Sequence, residues 1–406
     1  MTVTDSREYL IRDAFQRFYP AFLDAHPGLS PEKRKTAACI MKCKTGGLGY
    51  NVSICKDCGN SVIHAVSCNN RSCPSCQASK EKQWEAERNT ELIEGIAYYH
   101  AVFTIPHEMN PLIRHNMSLL LGLFFRCVQD TLLTLCADQK FMGAKPGILS
   151  VLHTWGQTLS FHPHIHVCIS GGGITPAGQF VETKHKGFFL PEAVIASMFR
   201  GKFLCALKSL YHAGKLDLSQ MEHLKEPDAW KLFTDSLFKK RWLPFIKETF
   251  NGRGNAIRYL ARYSYRTAIA NSRIVCVDAE NVTFRYKDYA DGSSEKTMTV
   301  KGTDFIGMFL QHVLPSGFHR VRFSGYLTNC KKTKNLKLIH QLRNTVYRGN
   351  PYRKMKTSER ILLFYGKDIC SCPVCRGKLM PVPRGMPTAK LPSLLRFINT
   401  INLAMC

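Results

Sequence analysis

Cysteine placement limits this chain more than any other feature. Seven of its 17 cysteines lie between positions 39 and 76, and three more between 370 and 375. The first residues, MTVTDSREYL, do not pair a basic head with an apolar run, so no secretory leader is expected and the expected compartment is the cytoplasm. Thiols there stay reduced, and clustered ones read as metal ligands rather than disulfides. Cys55-x2-Cys58 and Cys73-x2-Cys76, with fourteen residues between them, have zinc-knuckle spacing. Each turn brings two thiolates to one corner of a tetrahedron, so the two turns together are expected to complete one Zn2+ site. Gly59 and Pro74 suit such turns. Cys43 and Cys68 are candidates for a second zinc, with Cys39 and His64 nearby. Cys370, Cys372 and Cys375 form a further cluster without an obvious fourth ligand. Cys127, Cys136, Cys168, Cys205, Cys276, Cys330 and Cys406 are scattered and read mostly as small buried hydrophobes.

A length of 406 residues exceeds one compact core and predicts two or three domains. The net charge of +26 points to nucleic acid, whose phosphates release counterions when Lys and Arg arrive. No uninterrupted apolar run reaches the length of a membrane span, and no membrane partner is expected. No G-x-x-x-x-G-K-[ST] loop is present, so no fused ATPase is expected.

The outline is α+β. Helices are expected over 6–25 and 31–42, and a charged helix follows the cysteines. AYYHAVFTIPHE reads as a strand, 108–138 as buried helix, and GILSVLHTWGQTLSFHPHIHVCISGGG as one or two strands. Residues 191–250 read as helical with a polar break near 216–228, and GNAIRYLARYSYRTA as a short helix. Strands are expected at 273–278, 282–289 and 295–301, then a helix capped by Thr303, then the strand FHRVRFSGYL. The expected domains are a zinc-binding module over 1–90, a mixed domain over 96–328, and a basic region over 329–406.

In FHPHIHVCISGGG, alternate strand positions share a face, so His162, His164 and His166 line one side while Ile165 and Val167 face the other. Pro163 lacks an N–H and marks an edge or bulge. Two imidazoles on neighbouring same-face positions can grip one divalent metal, and the Gln157 amide is a candidate third ligand. That set suits Mg2+ or Mn2+, with imidazole favouring Mn2+. Gly171, Gly172 and Gly173 are expected to let the chain leave the strand with little bulk where DNA approaches.

RYLARYSYR places Tyr259 and Tyr263 one helical turn apart, amid Arg258, Arg262 and Arg266. A tyrosine can attack a phosphodiester that a metal polarises, and arginines can hold the phosphates bidentately. Two such tyrosines could each hold one DNA end, as strand exchange requires. Arg320 and Arg322 are further candidate DNA contacts.

Several of these stretches resemble the bacterial transposases of the insertion-sequence 91 family. His164-Ile165-His166 resembles the HUH motif (histidine, hydrophobic, histidine) of rolling-circle nucleases. LHTWGQTLSFHPHIHVCISGGG is similar to the form that motif takes in this family. YLARYSYRTAIANSRI resembles the family's tyrosine segment, LGYNVSICKDCGNSVIHAVSCNNRSCPSCQ its zinc module, and HVLPSGFHRVRFSGYL a downstream segment. The order is that of the family over most of 35–330. Two positions depart from it: Ser72 and Tyr265 stand where family members often carry histidine.

The resemblance implies a ferredoxin-like HUH core with an antiparallel sheet, the metal histidines on a central strand and HAVFTIP as another strand. It implies a single-stranded DNA endonuclease and strand transferase. Tyr263 and Tyr259 would be the nucleophiles, with Tyr263 acting first, and His164 and His166 the metal ligands. The DNA partners would be single-stranded element ends and a target, and oligomeric state stays open. Alternative readings are a plasmid or phage rolling-circle replication initiator, and a non-catalytic zinc DNA-binding protein derived from a transposase.

Overall fold

The computed structural model describes residues 9–77, 80–184, 190–242, 244–248 and 267–382. Helices α1 (Ile11–Ala25) and α2 (Pro31–Lys42) come first, followed by strands β1 (Tyr50–Cys55) and β2 (Ser61–Ala65) and helices α3 (Pro74–Gln77) and α4 (Glu81–Asn89). Strand β3 (Tyr98–Thr104) leads into α5 (Asn110–His115) and α6 (Met117–Ala137), then β4 (Lys145–Trp155), β5 (Phe161–Ile174) and β6 (Phe180–Glu182). Helices α7 (Glu192–His212) and α8 (Pro227–Lys239) precede β7 (Phe245–Glu248). The later described part holds β8 (Ile274–Val277), β9 (Asn281–Asp288), β10 (Ser294–Lys301), α9 (Gly302–Leu310), β11 (Val321–Gly325), α10 (Lys332–Leu342), α11 (Thr357–Tyr365) and β12 (Leu379–Pro381).

The central sheet has the order β11-β4-β5-β3-β7, with β6 added to the far end of β5, and its pairings are antiparallel. Alternation along the strands gives the sheet two unlike faces. Phe103, Ile165, Val167, Ile169 and Leu152 face α6 and α7 and form the main core with Phe124, Phe199 and Phe203. Helix α6 is long and apolar enough to cross a membrane by composition, yet it packs within this core. Phe199 is fully buried and meets the rings of Phe103, Phe124, Phe203 and Trp242. Phe199→Ala is expected to cost about 3–5 kcal/mol, read as a lower denaturant midpoint at unchanged slope.

A second core joins distant parts of the chain. Ile11, Phe15, Phe18 and Phe22 on α1, with Ala37 and Ile40 on α2, pack against Ile274, Val282 and Phe284 of the β8–β9–β10 sheet and Phe305, Ile306 and Phe309 of α9. The core therefore draws residues from both sides of the division expected near residue 90.

Strand β5 is central despite Pro163. The register steps between the pairs His153–His164 and Trp155–Phe161, so one residue of β4 faces two of β5, His162 and Pro163. Pairing with β3 begins only at Thr104–His164. The proline therefore sits in a bulge beyond the reach of β3, where its missing N–H removes no ladder bond.

Four local expectations need correction. The three glycines do not open the strand for DNA; they are buried within β5. A Cβ on Gly171 would stand 2.9 Å from the Tyr99 ring, and one on Gly173 2.7 Å from the Lys145 backbone, so close packing requires glycine there. Residues 245–248 are strand, not helix, because they extend the sheet edge by pairing with β3. Thr303 does not cap α9; the cap position is Lys301, and Gly302 follows because a Cβ there would collide with the Phe18 ring. Among the scattered cysteines, Cys205 and Cys330 are exposed rather than buried.

Candidate metal and nucleic-acid site

The other face of the central sheet is polar at one end. Register places His153 of β4 directly opposite His164 of β5, with His166 two residues further along and Val102 and Thr104 of β3 on the far side. Ligand-capable nitrogens of His153, His164 and His166 lie within 4.8 Å of one another. The rings meet at steep angles, with centroids 5.3 Å apart for His153–His164, 5.0 Å for His153–His166 and 4.9 Å for His164–His166. Toward the other end this face turns apolar, where Tyr98, Leu149 and Cys168 pack with Trp84 and Leu92.

Hydrogen bonds fix two of the rings. Nδ1 of His164 donates to the His162 carbonyl at 2.8 Å, which leaves Nε2 as its lone-pair nitrogen. Nδ1 of His166 shares a hydrogen bond with Nε2 of His100 at 3.1 Å, with the two rings nearly parallel. Tethering of one ring nitrogen is how ligating histidines are oriented. Burial pushes the His164 and His100 imidazoles down to about 4, so both are neutral near pH 7 and His164 is in ligand form. Three imidazoles fit a divalent transition ion such as Mn2+ better than Mg2+, which prefers oxygen.

His153 is the residue that sequence reading missed. Gln157, the expected third ligand, lies in the turn beyond β4, where its amide nitrogen donates to the Tyr289 hydroxyl at 3.1 Å. His162 is exposed at the bulge, beside His164.

Trp155 stacks on His153 with ring centroids 4.4 Å apart. It also lines a small cavity with Arg71, Ser72, Thr267, His312 and Arg320. Thr267 is where the described chain resumes after the tyrosine segment. Tyr259, Tyr263, Tyr265, Arg258, Arg262 and Arg266 lie outside the described residues. Arg320 shares the cavity with Trp155. Arg322 stacks on Phe125 and Phe318 on the α6-covered face of the sheet. Arg71 donates to the carbonyls of Leu314, Pro315 and Phe318 at 2.6–2.7 Å. It ties the zinc module to the loop after α9.

His312 closes the cavity. Its Nε2 donates to the Leu159 carbonyl at 3.0 Å, and its Nδ1 accepts from the Thr154 hydroxyl at 3.2 Å. Burial pushes it from 6.5 to about 4. Because the folded value is depressed, its contribution is complete above the unfolded value and is lost as pH falls through 6.5 toward 4, by roughly 3 kcal/mol at most. His312→Gln is expected to flatten that acid-side loss by about one proton in urea titrations across this window.

The cysteines form two quartets rather than the grouping that spacing suggested. Cys73 and Cys76 join Cys43 and Cys68, while Cys55 and Cys58 join Cys372 and Cys375. The two knuckles do not share a site because Cys55 and Cys58 flank the turn of the β1–β2 hairpin, whereas Cys73 and Cys76 lie at α3 against α2. In the first quartet Cys76 Sγ is 3.5 Å from Cys43 Sγ and 3.6 Å from Cys68 Sγ. Cys43, Cys73 and Cys76 belong to the second core.

An antiparallel-sheet domain with a histidine face, joined to a module whose cysteine quartets could hold metal, in a chain of net charge +26, fits the class of metal-binding proteins that act on nucleic acid. Comparison with known proteins makes this specific. Residues 14–105 match the family described as "Transposase zinc-binding domain", and residues 147–334 the family described as "Putative transposase". The chain is 37% identical over 377 residues to "Putative transposase y4qJ" of Sinorhizobium fredii, covering 92% of this chain and 94% of that one. It is 26% identical over 363 residues to "Transposase for insertion sequence element IS801" of Pseudomonas savastanoi pv. phaseolicola, covering 87% of this chain and 84% of that one. No solved structure matches it significantly. The chain belongs to the insertion-sequence 91 family of transposases, with an amino-terminal zinc-binding domain.

Proposed function

We propose that this transposase cuts and rejoins single-stranded DNA at the ends of its element through a 5′-phosphotyrosine, in rolling-circle transposition. In this reading the central sheet is an HUH nuclease core spanning 96–328, flanked by the zinc module and a basic region over 329–406. The observation that carries it is the trio His153, His164 and His166 on one sheet face, with the tethered rings of His164 and His166 in ligand orientation.

His153, His164 and His166 would hold a divalent ion, which when bound would supply Lewis acidity at the scissile phosphate. Tyr263 or Tyr259 attacks phosphorus through its phenolic oxygen, and the bond from phosphorus to the 3′ oxygen breaks. The phenolic proton passes to water, and the leaving 3′ oxygen takes one from water. Attack by a 3′-OH on the phosphotyrosine reverses these steps and rejoins the strand. Two tyrosines allow one DNA end to be held while a second is cut. Arg258, Arg262, Arg266 and Arg320 hold the phosphates. Thr267, the first described residue after the tyrosine segment, lines a cavity with Trp155, which stacks on His153.

The test is incubation with single-stranded element ends and Mn2+, followed by denaturing electrophoresis. A protein–DNA adduct is expected, and it should vanish in the Tyr259→Phe/Tyr263→Phe double variant. Wild-type protein that forms no adduct, or an undiminished adduct in the double variant, overturns the mechanism.

A further inference from the structure

The cluster at 370–375 lies beyond both family matches, which end at residues 105 and 334. By sequence it lacks a full ligand set. The fold supplies the missing half. Cys372 and Cys375 meet Cys55 and Cys58, more than 300 positions earlier, and the four sulfurs lie within 4.8 Å of one another. Individual separations are 3.5 Å for Cys55–Cys375, 3.7 Å for Cys58–Cys372 and 3.3 Å for Cys58–Cys375. Thiolates around a tetrahedral zinc, each about 2.3 Å from the ion, stand roughly 3.8 Å apart. Disulfide sulfurs stand at about 2.05 Å, so these are not bonded pairs.

The surrounding backbone is built for such a site. Strand β12 pairs antiparallel with β1, bringing Leu379 opposite Cys55. The Lys56 amide donates to the Lys378 carbonyl at 3.2 Å, and the Val382 amide to the Val52 carbonyl at 2.9 Å. Each thiol pair sits on its own tight turn: the Gly59 amide donates to the Cys55 carbonyl at 3.1 Å, and the Arg376 amide to the Cys372 carbonyl at 2.9 Å. The Gly377 amide adds a bond to Cys375 Sγ at 3.4 Å. Cys370 is not a member; it is exposed, and its carbonyl accepts from Leu379. The apolar cluster here consists of Cys55, Cys372 and Leu379 with Val62 against it. So small a core does not hold a three-stranded sheet together unaided, and a structural metal is the usual remedy.

We infer that Cys55, Cys58, Cys372 and Cys375 form a second structural zinc site, which clasps the segment around 372–382 onto the amino-terminal hairpin. The clasp closes a basic arm at its far end. The near end is already anchored, with Lys332 on Glu91 at 2.7 Å and Arg343 on Glu182 at 2.7 Å. Between the two anchors run Arg348, Arg353, Lys354, Lys356, Arg360 and Lys367, and α11 rests on α4 through Lys82, which lies over the Tyr365 ring at 5.5 Å.

The test is metal analysis of full-length protein purified under reducing conditions. Two zinc ions per chain are expected, falling to one in Cys372→Ser/Cys375→Ser, with two retained in Cys370→Ser. Because these cysteines lie outside both large cores, the double variant is expected to stay folded. Hydrogen exchange then reads the clasp directly: amides of 50–55 and 378–382 lose protection in the double variant while β3, β4 and β5 keep theirs. Cobalt substitution gives a second count, with thiolate charge-transfer absorbance for two equivalents in wild type and one in the variant. One zinc in wild type, two in the double variant, iron as the second metal, or unchanged exchange at 378–382 each overturns the inference.

Discussion

His153→Ala is expected to lower single-strand cleavage by more than the roughly 10–100-fold that loss of an outer-shell partner costs a metal site. His153 is 3% exposed, stands opposite His164 in the ladder and has a nitrogen within reach of both other histidines. Removing it leaves two imidazoles and a gap beside Trp155 that water can enter. Mn2+ affinity, measured by calorimetry or by the electron paramagnetic signal of the free ion, should fall in parallel with cleavage. Gln157→Ala should leave both nearly intact, since that amide is engaged with Tyr289. His162→Ala should do the same, because His162 is exposed at the bulge. Retained Mn2+ affinity in His153→Ala together with its loss in Gln157→Ala would return the third position to the amide. Circular dichroism of each variant separates a lost ligand from a lost fold.

Cys76→Ser carries the second large effect, and on stability rather than chemistry. Structural zinc sites in small domains contribute roughly 10–16 kcal/mol in apparent binding energy, comparable to the whole stability of a domain at about 5–15 kcal/mol. Cys76 lies within 3.6 Å of both Cys43 and Cys68, and its quartet is continuous with the core shared by α1, α2, α9 and the β8–β9–β10 sheet. The variant is expected to lose one zinc and the ordered packing of that core, seen as a weakened near-ultraviolet signal and a thermal midpoint lower by ten degrees or more, on the order of a few kcal/mol. The central sheet has its own core and should unfold separately. A Cys76→Ser protein with full zinc content and an unchanged transition would show that the first quartet holds no metal.

Local chemistry was legible in the sequence, and long-range pairing was not. The spacing of Cys55 with Cys58 and of Cys73 with Cys76 specifies two knuckle turns, but a turn carries no record of which other turn it meets. That is why the two knuckles were expected to share one site, apart from Cys43 and Cys68, where each knuckle instead completes a different quartet. His164 and His166 announce themselves by alternation, whereas His153 is a lone histidine whose role arises from hairpin register and the bulge at Pro163. Counting back from His164 through the turn at Gly156–Ser160 was the one available signal, and the bulge shifts that count by a residue. The triple glycine read as freedom from bulk; its cause is the approach of Tyr99 and the Lys145 backbone, both remote in sequence. Strand β7 follows long helices and is only four residues, too short for periodicity to reveal. Arg71 shows the limit of charge counting, because its guanidinium serves three carbonyls of a loop some 240 positions away.

The core shared by α1 and α9 bears on how such proteins can be recombined. A fragment cut after residue 105 would carry the matched zinc-binding stretch intact, yet expose the faces of Phe15, Phe18 and Phe22 that residues 274–313 cover. Exchange of amino-terminal modules between relatives would therefore succeed only when the β8–β9–β10 sheet and α9 travel with them. The heritable unit of this protein is a set of contacts spread across the chain rather than a contiguous stretch of it.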